Sequence, residues 1–284
     1  MRAEPLSGEM TRPLSGFVSS DGCELYWEAA GDGVPILLVH PAGSTTSTWG
    51  QARDQLARYG HVLGYDRRGY ARSAAAPVRS LPQHTADAAA LLESLVDEPA
   101  VVVGTSAGAA IAVDLAVRRP ELVRTVVAHE FPWRFTRHVP SASQLVALLR
   151  IVSFSARRRP EEAVDALLRS AYAYKDGTSA WDGFPEQWRN AARENARPAL
   201  ADFLNSIRSY PSAAELASIE VPVLCTCGTR SPDAMFRLVR LLAAAIPGSR
   251  LQRIEGAGHA APFDAPANFV RVIAEAISSA SPQP

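Results

Sequence analysis

The sequence predicts an α/β fold in which a mostly parallel sheet is flanked by helices and interrupted by a helical insertion. Short apolar runs bounded by Gly, Pro or Asp recur along the 284 residues and alternate with segments of helical periodicity. Runs such as VPILLV and AVVV are continuously apolar, which is typical of parallel strands covered on both faces. Between residues 132 and 219 the alternation stops and helical patterns follow one another, which indicates an insertion between two strands.

Apolar runs predict the strands, and Gly, Pro or polar residues bound each run. The first two runs are close enough to form an opening hairpin, and the others are spaced for parallel pairing through helical crossovers. The predicted strands are residues 16–20, 24–28, 34–39, 61–65, 100–103, 123–128, 221–226 and 250–254.

Helical periodicity fills the intervals between the later strands. The last helix carries Phe269, Ile273, Ala276 and Ile277 on one stripe, which predicts that it packs against the sheet. The predicted core helices are residues 51–58, 85–95, 107–118, 235–245 and 267–278.

The insertion, residues 132–219, is expected to be an all-helical lid. Its predicted helices are residues 144–152, 161–174 and 186–207, the last interrupted at Pro198 because proline disfavours a helix interior. We expect residues 14–131 and 220–284 to form one core and residues 1–13 to be a disordered tail.

The charge balance excludes some classes of partner. Twenty-nine basic and 29 acidic residues cancel, so we expect no nucleic-acid or membrane partner and a small-molecule substrate instead. Three cysteines are too few for a disulfide framework, and no apolar stretch has the length of a signal peptide or a membrane span. We therefore expect a cytoplasmic protein that needs neither a metal nor a cofactor; its oligomeric state is left open.

The segment GTSAG at positions 104–108 carries the strongest chemical signal. It follows the AVVV strand directly and opens an alanine-rich helix, and this context makes a G-x-S-x-G pattern meaningful. A sharp strand-to-helix turn there would lift the hydroxyl of Ser106 above the sheet edge. We therefore predict Ser106 as a nucleophile.

A serine hydroxyl needs an adjacent base, and His259 is the predicted one. It lies in the loop GAGH after the last predicted strand, and the carboxyl ends of parallel strands share one edge of the sheet. His129 is the alternative base, but it is expected to lie at the end of a strand, where the residue next to it is better directed towards the site.

The segment HPAGS at positions 40–44 ends the VPILLV strand on that same edge. Backbone N–H groups in such a turn can stabilise an oxyanion. Because Pro41 has no N–H, the donor in this turn is expected to be Ala42 or Gly43, of which we favour Ala42, and the second donor is Ala107, directly after the serine.

With these segments placed, the chain resembles the α/β-hydrolase superfamily from about residue 16 to residue 277. The resemblance is carried by HPAGSTTSTW, YDRRGYARS, GTSAG and GAGHAAPFDAPANF. It implies eight strands, a lid after the sixth strand and a pocket between lid and core. The chain departs from the usual pattern at Pro41 and Ala71, where the family commonly has glycine. The resemblance also implies that Asp66, Arg67 and Gly69 have structural roles.

The carboxylate partner of the histidine departs from the pattern most. The resemblance implies an aspartate in a G-x-x-D pattern after the strand VPVLCT, where this chain has Ser231. Asp233 lies two residues further on, and Glu130 ends the preceding strand, where some relatives place their acid. Asp233 suits a helix cap, whereas Glu130 ends an apolar strand, where an ionised group is costly unless paired. We favour Glu130 and keep Asp233 as the alternative.

These residues predict hydrolysis of a carboxylic ester, lactone or related acyl compound through an acyl-serine intermediate. Serine-dependent C–C bond hydrolysis, thioester hydrolysis and cofactor-free perhydrolysis remain open, as does a ligand receptor without turnover. Aromatic residues of the insertion predict an apolar or aromatic pocket, with Trp133 as a candidate substrate contact.

Overall fold

The computed structural model describes residues 14–74, 76, 77, 80–131, 133 and 141–279, without the side chains of residues 205–208. The expected disordered tail, residues 1–13, lies outside the described residues. So does the start of the insertion, apart from Trp133.

Eight strands form a single sheet in the order β1-β2-β4-β3-β5-β6-β7-β8. Strand β2 runs antiparallel to both of its neighbours, and all other pairs are parallel. The predicted mostly parallel sheet is therefore confirmed, and so is the opening hairpin. The strands are β1 (Leu14–Ser20), β2 (Cys23–Ala30), β3 (Pro35–Val39), β4 (His61–Tyr65), β5 (Ala100–Thr105), β6 (Val123–His129), β7 (Val223–Gly228) and β8 (Arg250–Ile254).

Helices cover both faces of the sheet, as continuous apolar strands require. Helices α2 (Leu81–Leu95), α3 (Ala107–Arg118) and α10 (Asp233–Ala245) pack in one apolar cluster with one face. Helices α1 (Gly50–Leu56) and α12 (Pro266–Ser279) pack in a second cluster with the other face. The stripe of α12 is buried as predicted. A short helix, α11 (Ala261–Asp264), precedes α12.

The described chain between β6 and β7 consists of helices joined by short turns, with one isolated antiparallel bridge between Ala173 and Ser179. Its helices are α4 (Ala142–Ala156), α5 (Pro160–Ala171), α6 (Ala180–Gly183), α7 (Glu186–Glu194), α8 (Ala196–Arg208) and α9 (Ala213–Ala217). An apolar cluster inside the insertion also includes Tyr70 and Ala260 of the core. The insertion therefore packs directly on the core.

The predicted break at Pro198 was wrong. The helix is interrupted at Asn195, between α7 and α8, and Pro198 lies in the first turn of α8. Proline is tolerated there because the first turn of a helix has no partner for its N–H groups.

Candidate active site

Ser106 occupies a strained turn between β5 and α3. Its backbone has φ 54° and ψ −116°, a region that residues with a Cβ rarely adopt. Its N–H donates to His129 O at 2.9 Å. The glycines on either side are required by close packing, because a Cβ on Gly104 would lie 2.2 Å from Gly108 O and one on Gly108 would lie 2.0 Å from Val39 O. The turn leaves Ser106 partly exposed at the edge of the sheet.

His259 and Glu130 meet at this edge. The distance between His259 Nδ1 and Glu130 Oε2 is 2.8 Å, and both residues are almost fully buried. An ionised carboxylate can only accept, so Nδ1 carries the proton and Nε2 has the free lone pair. Ser106 and His259 line the same cavity, and within the described part of the chain no hydrogen bond joins the two side chains. Such bonds are often long in a free enzyme.

The second oxygen of Glu130 is held by β7 and the residues after it. Oε1 accepts from Gly228 N–H at 2.9 Å, from Cys227 Sγ at 3.3 Å and from the hydroxyl of Ser231. Burial opposes the charge of Glu130, but the hydrogen bond with His259 lowers its pKa to about 2. Glu130 is therefore a carboxylate at neutral pH.

Glu130 also lies in a strained conformation. Its φ is 49°, and its N–H donates to Thr226 O at 3.0 Å across the sheet. A non-glycine residue in this region costs about 1–2 kcal/mol. This conformation ends the regular alternation of side chains along β6, and the Glu130 side chain reaches Gly228 at the end of β7 and His259.

Asp233 lies apart from this arrangement. It is the first residue of α10 and is exposed. The imidazole of His259 thus faces Glu130 and not the alternative carboxylate.

The loop that carries His259 is clamped through Gly258. Its N–H donates to Asp264 Oδ2 at 2.7 Å, and its carbonyl accepts from His129 Nε2 at 3.0 Å. His129 Nδ1 then accepts from the Thr226 hydroxyl at 3.0 Å. Burial lowers the pKa of His129, so its imidazole stays neutral and supports the loop that bears His259.

The turn after β3 brings Ala42 to the cavity that Ser106 and Ala107 line. The imidazole of His40 supports this turn through two contacts. Its Nδ1 lies 2.8 Å from Pro41 O, and its Nε2 accepts from Arg67 N–H at 3.0 Å. Burial and then the charge of Arg67 lower the pKa of His40 to about 3. A neutral His40 keeps one donor and one acceptor, as both contacts require.

The cavity has a volume of about 490 Å³ and lies between the core and the insertion. Helices α4, α5 and α8 supply Ile151, Leu167 and Phe203 to its wall. Trp133 is not among the described residues that line it: its indole is buried in the core, and Nε1 donates to Pro211 O at 2.9 Å. Among described residues, no group of His, Cys, Asp and Glu is arranged to hold a metal ion.

A buried ion pair joins the insertion to the core beside this cavity. Asp202 of α8 accepts from Arg67 at 2.7 Å and from the Tyr70 hydroxyl at 3.0 Å, and all three side chains are fully buried. His84 Nε2 lies 3.4 Å from the other carboxylate oxygen. Burial disfavours the charge of Asp202, but the neighbouring Arg67 holds the pKa of this carboxyl well below its usual range.

A model of the Alpha/beta hydrolase family matches residues 36–272. The chain belongs to the α/β-hydrolase family. The match begins in β3 and ends in α12, so it spans Ser106, Glu130 and His259 together with the insertion. Hydrolysis is the reaction class that this membership assigns to the chain.

The relatives of this α/β-hydrolase include an uncharacterized hydrolase, YraK, of Bacillus subtilis, 35% identical over 119 residues; the match covers 41% of this chain and only 44% of that protein. A pimeloyl-[acyl-carrier protein] methyl ester esterase of Chromobacterium violaceum is 26% identical over 257 residues, or 88% of this chain and 97% of the esterase. Among solved structures, the enol-lactonase of Burkholderia xenovorans LB400 matches with a TM-score of 0.77 at 23% identity, covering 93% of this chain and 100% of the lactonase. That likeness shows the fold.

Two features of this α/β-hydrolase are not predicted from its sequence. The first is the set of hydrogen bonds that Glu130 accepts from Cys227, Gly228 and Ser231, although the serine in place of aspartate indicates the segment that supplies them. The Arg67–Asp202 pair was not foreseen either, because nothing in the sequence links residues 135 positions apart. No described helix is long and apolar enough to cross a membrane.

Proposed function

We propose that this α/β-hydrolase cleaves a carboxylic ester, lactone or related acyl compound through an acyl-serine intermediate. Ser106 is the nucleophile, His259 its general base and Glu130 the acid that orients the base. The contact of 2.8 Å between His259 Nδ1 and Glu130 Oε2, beside a cavity that Ser106 also lines, carries the proposal.

The chemistry follows from the proton positions. Because Nδ1 of His259 is bound to Glu130, Nε2 is the nitrogen that takes the Ser106 proton as the hydroxyl oxygen attacks the carbonyl carbon. The imidazolium that forms is stabilised by the Glu130 carboxylate. It then gives its proton to the leaving alcohol as the tetrahedral intermediate collapses to the acyl-serine, and water releases the acid by the same steps.

Backbone N–H groups of Ala42 and Ala107 are the proposed oxyanion donors. Ala107 is the first residue of α3, where free N–H groups and the helix dipole favour negative charge. Ala42 lines the cavity in a turn that His40 supports through Pro41. Loss of one such donor in this type of site costs about 10²–10³ in kcat.

The helical insertion, residues 132–219, is proposed to act as a lid on the core. Its helices line the cavity with Ser106, and the Arg67–Asp202 pair joins it to the core. The apolar wall favours a neutral, apolar acyl group or alcohol, a preference consistent with the methyl ester esterase among the relatives.

A cytoplasmic location is part of the proposal, supported by three buried free thiols.

Turnover of p-nitrophenyl butyrate by wild type and Ser106→Ala tests the proposal. We expect the wild-type protein to release nitrophenol with a burst and the folded variant to show no burst and negligible turnover. Wild-type turnover by Ser106→Ala, with its circular dichroism unchanged, would remove Ser106 from the mechanism.

A further inference from the structure

Positive charge is concentrated at one place in a chain whose net charge is zero. Residues 131–160 contain six arginines and no aspartate or glutamate. This stretch includes α4, the helix of the insertion that follows β6 in the described chain. A local field can exist even though the charges of the whole molecule cancel.

Helix α4 has an apolar face that no part of the described chain buries. Leu145, Leu149 and Val152 are spaced i, i+4 and i+7, so they share one side of the helix, and they are 47%, 70% and 58% exposed. Val146 beside them is 49% exposed. No residue of α4 is buried, which is unusual for a helix this apolar, and contiguous exposed apolar patches mark interaction surfaces.

The opposite side of α4 faces the cavity. Ala147 and Ile151, spaced i and i+4, line it, and Leu148 lines it while remaining 49% exposed. One helix therefore presents an apolar stripe outwards and walls the cavity inwards, with Leu148 at the border between them.

Arginines border the stripe. Arg150 is exposed beside it, and Arg157 and Arg158 are exposed directly after the helix. Among the described residues, none of these three forms a salt bridge. Arg159 differs, because it pairs with Glu162. Free guanidinium groups around an apolar stripe complement a surface that is anionic outside and apolar inside.

We propose that α4 docks the protein on an anionic lipid surface. A helix with an exposed apolar stripe bordered by arginines lies in the headgroup region, with the apolar side chains in the acyl boundary and the cations on the lipid phosphates. This docking is peripheral, and it departs from the expectation of no membrane partner, which rested on net charge and not on the uneven distribution of charge along the chain. It does not depend on the proposed function, since binding needs no turnover.

Flotation with vesicles tests the proposal. We expect the wild-type protein to float with vesicles of phosphatidylcholine and phosphatidylglycerol, to bind pure phosphatidylcholine at least about fivefold more weakly, and to detach as salt rises. Leu149→Glu should lower binding to the anionic vesicles by at least about tenfold, since a leucine that enters the acyl boundary on docking is replaced by an anion. The control is Leu241→Glu on α10, a second exposed leucine, whose exposed fraction is 47% against 70% for Leu149.

A second pair of variants separates charge from apolar area. Arg150→Glu with Arg157→Glu should abolish the preference for anionic vesicles, whereas Arg237→Glu with Arg240→Glu, two exposed positions of α10, should leave it intact. The proposal is overturned if wild type does not float with anionic vesicles, or if Leu149→Glu and Leu241→Glu weaken binding equally. It is also overturned if light scattering shows a dimer that Leu149→Glu dissociates, because the stripe would then contact a second copy.

Discussion

Glu130 is buried yet ionised, and the groups around it explain both properties. Its two carboxylate oxygens have different partners. Oε2 contacts His259, and Oε1 accepts hydrogen bonds from Gly228, Cys227 and the hydroxyl of Ser231. Ser231 stands where the resemblance places an aspartate, and its hydroxyl donates to Oε1 of Glu130, the proposed acid.

Glu130→Gln is expected to reduce kcat for p-nitrophenyl butyrate by an amount approaching the roughly 10⁴-fold known for a tautomer-disrupting change in a serine triad. The amide cannot supply the charge that stabilises the imidazolium, and it can leave the proton on the wrong nitrogen. The matched control is Asp233→Asn, which should cost little because Asp233 is an exposed helix-start residue. Equal losses in the two folded variants would contradict the role given to Glu130.

Stability should depend on the ionisation of Glu130 in acid. Burial raises its pKa, but the contact with His259 lowers it overall to about 2, from an ordinary value of 4.5. A depressed folded pKa means that the stabilisation is complete above about pH 4.5 and is lost as pH falls towards 2. The difference in unfolding free energy between wild type and Glu130→Gln, from urea titrations, should therefore shrink from pH 5 to pH 3. A constant difference would show that Glu130 does not titrate in this window.

At the scale of elements, the carboxyl edge of the sheet brings the site together. Ser106 follows β5, Glu130 follows β6 and the clamped loop of His259 follows β8. Parallel pairing between β5 and β6, with Thr105 opposite His129, sets two of these residues side by side. Helix α8 then joins the insertion to this edge through Asp202.

Removal of one member of the buried pair should be costly. Asp202→Ala is expected to lower the free energy of unfolding by about 3–5 kcal/mol, because Arg67 would keep its charge in a fully buried place. Combining it with Arg67→Met should recover most of that loss, since two apolar side chains leave no charge behind. Urea unfolding of both single variants and the double variant measures this. Additive losses would show that the pair is not coupled.

Much of this arrangement is predictable from the sequence, for identifiable reasons. Strand runs and the GTSAG turn are local patterns, so Ser106 and the sheet can be placed from them, and the shared edge then selects His259. The sequence favours Glu130 over Asp233 because a carboxylate at the end of an apolar strand needs a partner. The Arg67–Asp202 pair could not be predicted, because it depends on how the insertion packs, and the break at Asn195 has no proline or glycine to mark it.

For the whole molecule, the cavity between core and insertion is the feature that would select substrates. Ser106 and His259 line it, and α4, α5 and α8 contribute mostly apolar side chains, with Gln144, Ser170 and Asp202 as the polar lining residues of those helices. Changes in the insertion should therefore alter which acyl chains fit and leave the reacting groups in place.

Phe203→Ala enlarges the cavity and should raise kcat/KM for p-nitrophenyl octanoate relative to the acetate by about tenfold, the lower end of what pocket volume can supply. Its neighbour Leu204, which is 59% exposed, provides the control: Leu204→Ala should leave the octanoate-to-acetate ratio unchanged. If Phe203→Ala left the ratio unchanged, the cavity would not be the acyl site.

The central claim is that Ser106 becomes covalently acylated, and mass spectrometry tests it directly. After incubation with a p-nitrophenyl alkylphosphonate, which mimics the tetrahedral intermediate, the intact wild-type protein should gain the mass of one phosphonyl group, and peptide mapping should assign it to Ser106. Ser106→Ala should gain no such mass, and Glu130→Gln should be labelled far more slowly. Stoichiometric labelling of another residue, or equal labelling of Ser106→Ala, would contradict the account.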